Sequence, residues 1–153
     1  MSVLRYFHPV LPSKSLKRAP VAIQVAEEKI VLFRSKDREV VALRDRCPHR
    51  FTPLSEGRVT AEGKLACPYH GWAFDSRGEG VKPGQAEERP SCRVRSYRAV
   101  EKHGYIWVAE KSADAGSIPD LEGDGWVLID SYPIVFEAPL ELALDNFSED
   151  EHF

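Results

Sequence analysis

The chain has little cysteine, almost no methionine and no long apolar run: three Cys and one Met stand among 153 residues. Its apolar stretches, such as Ile30–Phe33 and Val40–Leu43, fall far short of the roughly 20 residues that a membrane-spanning helix needs. The opening Met1-Ser2-Val3-Leu4-Arg5-Tyr6-Phe7-His8-Pro9 lacks the uninterrupted apolar segment of a secretory signal. These absences predict a soluble, cytoplasmic protein without a membrane partner. There is no excess of positive charge either. The formal net charge is −3, and no basic patch interleaved with aromatics occurs, which argues against a general nucleic-acid binder. In an intracellular chain three cysteines are metal ligands or buried thiols rather than disulfide partners.

What is present is an ordinary globular mixture, 42% apolar and 29% charged, in a length that allows one compact domain with a few tens of residues left over. The pattern is that of short strands with frequent turns. Val21–Val25, Ile30–Phe33 and Val40–Leu43 have strand length, and Ser35-Lys36-Asp37-Arg38 reads as the loop of a hairpin. Leu65-Ala66 leads into a segment bearing Cys67 and His70, and Trp72-Ala73-Phe74 leads out of it. Val94–Val100 and Tyr105–Ala109 form a further hairpin about Glu101–Gly104. Little helix is expected here, so the fold class is all-β, a sandwich or barrel over residues 1–110. Composition changes at Glu110–Gly125, and residues 111–125 read as a linker. Beyond it, residues 126–153 offer two strands, Trp126–Ile129 and Ile134–Glu137. A helix opened by Pro139 then carries Leu140, Leu142, Ala143 and Leu144 towards His152. This last part is too short to close a core alone. It reads as the truncated start of a second, α+β domain.

Two segments carry chemistry, Cys47-Pro48-His49 and Cys67-Pro68-Tyr69-His70, with 17 residues between His49 and Cys67. Each supplies one thiolate and one imidazole. A [2Fe–2S] cluster needs four terminal ligands, and in Rieske centres two His replace two Cys on one iron. Cys47 and Cys67 would then hold a buried iron, and His49 and His70 an outer one. The competing reading is a structural Cys₂His₂ zinc site. Zinc fingers, however, pair Cys with Cys and His with His, whereas here each arm is mixed. Proline after each cysteine fixes φ at the start of a tight loop, and Gly71 lets the backbone pass close by without a Cβ.

Cys47-Pro48-His49-Arg50 and Cys67-Pro68-Tyr69-His70-Gly71-Trp72 together resemble the Rieske domain of the non-haem iron oxygenases. The run from Asp45 through Phe51-Thr52-Pro53-Leu54-Ser55 looks closest to the vanillate demethylase and dicamba monooxygenase branch. The likeness covers most of Tyr6 to Ala109. Respiratory Rieske proteins carry an extra cysteine in each loop, joined as a disulfide; here those positions look like Thr52 and Tyr69. Trp72 and Phe74 stand where that family places hydroxyls near the cluster. Fewer hydrogen bonds to sulfur lower the potential, so one near about −150 mV is expected.

The resemblance implies the oxygenase (alpha) component of a system that uses O₂ and electrons from NAD(P)H. These would arrive through a reductase or ferredoxin, to hydroxylate or demethylate an organic substrate such as an aromatic compound. It also implies a homotrimer and a mononuclear Fe(II). The alternative is a stand-alone Rieske ferredoxin, which should end soon after Ala109. The oxygenases resemble Asp145-Asn146-Phe147-Ser148-Glu149-Asp150-Glu151-His152, where an Asp-x-x-His supplies the first ligand of the mononuclear iron. His152 would be that ligand and Glu149 the bridge for electrons between subunits. Glu149 is one methylene longer than the family's Asp. Glu149, Asp150 and Glu151 are otherwise a solvated acidic run. A second His and a carboxylate would have to lie further along, so the chain is expected to be part of a longer oxygenase.

Among the other residues, Cys92 is expected to be a semi-buried thiol, His8 and His103 surface or loop residues, and Trp107 core. Arg46 and Arg50 flank the first ligand pair, where they could receive an acidic redox partner.

Overall fold

The computed structural model describes residues 3–84, 92–113, 118–120 and 137–148. Eleven strands are described: β1 (His8–Pro12), β2 (Val21–Val25), β3 (Glu28–Arg34), β4 (Val40–Arg44), β5 (Arg58–Val59), β6 (Leu65–Ala66), β7 (Ala73–Phe74), β8 (Glu79–Val81), β9 (Cys92–Arg93), β10 (Ser96–Lys102) and β11 (Tyr105–Ala109). They form an all-antiparallel six-stranded sheet, ordered β1-β11-β10-β4-β3-β2, and a five-stranded sheet ordered β5-β6-β7-β8-β9. The chain divides into two compact units, residues 1–120 and 121–153.

The continuous apolar character of β3 and β4 follows from burial on both faces. Val31, Phe33, Val41 and Leu43 point into a core shared with Leu54, Leu65 and Phe74 of the second sheet and its approaches. Ile30, Leu32 and Ala42 point the other way, against Leu4, Leu16, Tyr97, Ile106 and Val108. The first of these cores also contains Cys47 and Cys67. The strand pair thus ends where the thiols begin.

Arg34, the last residue of β3, ties three segments together. Its Nε donates to the Leu16 carbonyl at 3.0 Å, Nη1 to the Arg38 carbonyl at 2.9 Å and Nη2 to the Ser13 carbonyl at 3.3 Å. Nη1 and Nη2 also grip the Glu101 carboxylate, at 3.1 and 2.8 Å. These five contacts match the five N–H groups of a guanidinium. The Arg34 hydrogen bond holds the Glu101 carboxyl below its usual range, although burial opposes the effect.

The sequence expectations for β2 and β11 coincide with the observed strands, and β3 and β4 extend slightly past theirs. The expected Val94–Val100 strand is instead divided. Val94 leaves the second sheet by donating its N–H to the Gly78 carbonyl, and β10 starts at Ser96. Trp107 is half-buried rather than central. Its ring packs with Phe7, Ala113 and Ile118, and Nε1 donates to the Lys102 carbonyl at 2.9 Å. Ala113 and Ile118, from the stretch read as linker, are buried in that cluster. His103 sits in the β10–β11 turn with φ of 54° and bonds the Pro119 carbonyl.

In the second unit α1 spans Leu140–Ser148. Ala143 N–H donates to the Pro139 carbonyl at 3.2 Å, so Pro139 opens the helix where its missing N–H costs nothing. The expected Trp126–Ile129 strand, the 134–136 part of the next, Glu149 and His152 lie outside the described residues.

Replacing Arg34 by Met should leave Glu101 and three carbonyls without their donor and cost about 2 kcal/mol in chemical denaturation. The carboxyl is depressed in the folded state. The contribution of the pair is therefore present at neutral pH and is lost as pH falls below the ordinary glutamate range. The variant should show a flatter acid limb than the parent.

Candidate metal centre

Two loops converge at the end of the shared core. The first follows β4 and leads to a 3-10 turn at Leu54–Glu56. The second is the connection of the β6–β7 hairpin, in which Ala66 faces Ala73. A close backbone approach holds them side by side: a Cβ on Gly57 would lie 2.1 Å from the Ala66 carbonyl oxygen.

The loops share one backbone design. Cys47 N–H donates to the Thr52 carbonyl at 2.9 Å, and Phe51 N–H donates to the Cys47 carbonyl at 2.8 Å. In the second loop Cys67 N–H donates to the Trp72 carbonyl at 2.8 Å, and Gly71 N–H to the Cys67 carbonyl at 3.1 Å. Proline occupies the second position of each. The fifth position is left-handed in both, with φ of 62° at Phe51 and 70° at Gly71. The histidines are not equivalent in this frame, since His49 is third in its loop and His70 fourth in the other. Asp45 straps the first loop by accepting from Ser55 N–H at 2.7 Å and from Ser55 Oγ at 2.6 Å.

The result separates the four side chains into two pairs. Cys47 and Cys67 are each 2% exposed and belong to the same buried cluster. Burial pushes the Cys47 thiol up. The backbone amides of His49 and Arg50 act against this, and Cys67 reinforces it. His49 and His70 are exposed, with ring centroids 4.8 Å apart and planes at 61°. Trp72 stacks on His49 at 5.1 Å and 9°, and Lys82 Nζ lies 5.4 Å from the Trp72 ring. Tyr69 packs on His70 at 3.9 Å. Loss of hydration, together with His70, Arg50 and Lys82, holds the His49 imidazole below its usual range, and so favours the neutral form that ligates metals.

The two metal readings ask different things of the four donors. A single tetrahedral ion requires all four donors about one point. Among the described residues no three His, Cys, Asp or Glu side chains converge in that way. A buried sulfur pair beneath an exposed imidazole pair instead suits a two-iron cluster with two ligands on each iron. Cys92 lies on β9. It is half-buried, packs against the same core and has its Sγ 4.0 Å from the Gly80 carbonyl.

Sequence reasoning missed the role of Phe51. Nothing marks a bulky residue as left-handed except its alignment with Gly71 once the loops are superposed. It also missed how Arg93-Val94-Arg95 comes to lie beside Arg44-Asp45-Arg46. Those four arginines line a groove with Pro48 and Phe51.

Known proteins place this arrangement. Residues 6–98 match the family model described as the Rieske [2Fe–2S] domain. The oxygenase component of dicamba O-demethylase from Stenotrophomonas maltophilia is 40% identical over 76% of this chain and 35% of its own length. A crystal structure of dicamba monooxygenase with non-haem iron and dicamba superposes with a TM-score of 0.69 at 35% identity. That match covers 78% of this chain and 38% of that one. A QL mutant of the methylxanthine N1-demethylase NdmA of Pseudomonas putida, solved with theobromine, gives 0.82 at 28% identity over 99% of this chain and 48% of that one. The chain thus spans less than half the length of these relatives. With the family model matching more than half of its residues, over the two loops just described, the chain belongs to the Rieske [2Fe–2S] domain family.

Proposed function

We propose that Cys47, His49, Cys67 and His70 ligate the [2Fe–2S] cluster and that the chain is the electron-transfer part of a Rieske oxygenase. The observation that carries this reading is the division of the four donors into a buried thiol pair and an exposed imidazole pair. When bound, the cluster supplies one-electron chemistry. The chain's own residues hold it and control its surroundings. The core of Val31, Phe33, Leu54 and Phe74 keeps water from the thiol side. Trp72 and Tyr69 cover faces of the two imidazoles and leave their outer edges for the exit of electrons.

The parent protein, on this reading, is an oxygenase component that takes NAD(P)H-derived electrons through a reductase or ferredoxin. It uses O₂ to hydroxylate or demethylate an organic substrate, and works as a homotrimer. The likeness to a dicamba O-demethylase component supports this. Residues 126–153 would begin its catalytic domain, with His152 as the first ligand of a mononuclear Fe(II) and Glu149 as the inter-subunit bridge. The Asp145-Asn146 segment that precedes them lies on α1, the helix that would present them.

Cys47→Ser and Cys67→Ser should each abolish the visible absorption and the Rieske EPR signal of the reduced protein, and Cys92→Ser should retain both. Loss of the signal in the Cys92 variant would overturn the ligand assignment. Electrochemical titration should give a midpoint near about −150 mV; a value well above zero would remove the argument from Trp72 and Phe74. In the full-length oxygenase His152→Ala should lower iron from about three to about two per chain while sulfide stays at about two. Unchanged iron would remove His152 from the metal site.

A further inference from the structure

We propose that the cavity between the 3-10 turn Ser13–Ser15, the β3–β4 turn and the end of β5 binds a small polyanion, a molecule with two or more phosphate or carboxylate groups. The cavity encloses about 680 Å³, and none of its lining residues belongs to either cysteine loop. That volume is in the range of small-molecule sites and exceeds what a single inorganic ion needs. Lys14, Lys17, Arg18, Arg34 and Arg38 line it, and no carboxylate does. Arg34 offers a ligand no unused charge, because Glu101 and three carbonyls take up its guanidinium. Lys17, Arg18 and Arg38 are exposed, and their side chains make no ion pair or hydrogen bond among the described residues. Three uncompensated cations about one concave surface, in a chain of net charge −3, focus a positive field there. Guanidinium forks match the paired oxygens of phosphate and carboxylate. No aromatic side chain lines the cavity to stack a ring, which leaves charge as the means of recognition.

The walls are fixed in advance of any ligand. Arg34 binds the carbonyls of Ser13, Leu16 and Arg38, and so ties the first turn to the second. In the β5–β6 turn Gly63 abuts the Lys36 backbone so closely that a Cβ would not fit. Walls already ordered spare a ligand the cost of ordering them. Arg38 is a second, independent observation. It closes the β3–β4 turn at φ of 65°, with its N–H donating to the Ser35 carbonyl at 3.0 Å. A left-handed turn position favours Gly or Asn, and a longer side chain there costs strain. The backbone thus accounts for the conformation but not for the arginine, and residues held in this way cluster at ligand sites. Ser35, in the same turn, has a buried hydroxyl with no hydrogen-bond partner. The wall therefore holds a donor that nothing else in the protein takes up.

The test is isothermal titration calorimetry of the cluster-loaded full chain with inorganic pyrophosphate and with citrate, at fixed ionic strength. At least one should bind saturably with one site per chain, and the tighter of the two identifies phosphate or carboxylate chemistry. Arg38→Gly should weaken that binding about tenfold, the loss of one charge-assisted contact. It should do so without a fall in the melting temperature of the free protein, because glycine suits the turn. Arg18→Gln should weaken binding to a similar degree. Lys29→Gln, which removes an exposed cation outside the cavity, should leave it unchanged. Absence of saturable binding of either anion in the millimolar range would overturn the site. Affinity unchanged in both arginine variants would overturn it too. So would an equal loss in Lys29→Gln, since attraction would then belong to the surface as a whole.

Discussion

Burial of two thiols in the same apolar core as Val31, Phe33, Val41 and Leu43 is the constraint on which the site depends. That core exists because β3 and β4 are covered on both sides, by the second sheet on one and by Leu4, Leu16 and Ile106 on the other. Had either face been open to water, the strand pair would have alternated apolar and polar residues. Cys47 would then have emerged into solvent with its histidine. Placing the loops at the end of a doubly covered pair keeps sulfur inside and nitrogen outside.

Sequence reached this arrangement unevenly. The apolar tetrads and the mixed Cys–His arms were legible because both are local: periodicity reports burial, and residue type reports ligand chemistry. The two-residue strands β5, β6, β7 and β9 carry too few residues for any period to register. They are held by pairing across the sheet, as in Arg58↔Ala66 and Leu65↔Phe74. Trp107 shows a different failure. In β11 alternation alone does not say which face meets the larger core. Ile106 and Val108 took that side, and Trp107 packed with Phe7, Ala113 and Ile118.

Residues 111–125 read from composition as a linker, and nine of the fifteen lie outside the described residues. Pro, Gly, Asp and Ser made this stretch look like linker, yet Ala113 and Ile118 are buried in it. Backbone carbonyls hold it down. Arg98 donates to the Ala113 carbonyl at 2.6 Å and Lys102 to that of Ile118 at 3.5 Å. Contacts through main-chain oxygen leave no trace in side-chain composition.

The shared closure of the two loops has one more consequence. Each is fixed by two main-chain hydrogen bonds and a proline, and none of those elements involves an atom that would touch a metal. The atoms that shape the loops are thus distinct from the side-chain atoms that would hold a metal, so a ligand side chain can be exchanged without removing any of the bonds that close its loop.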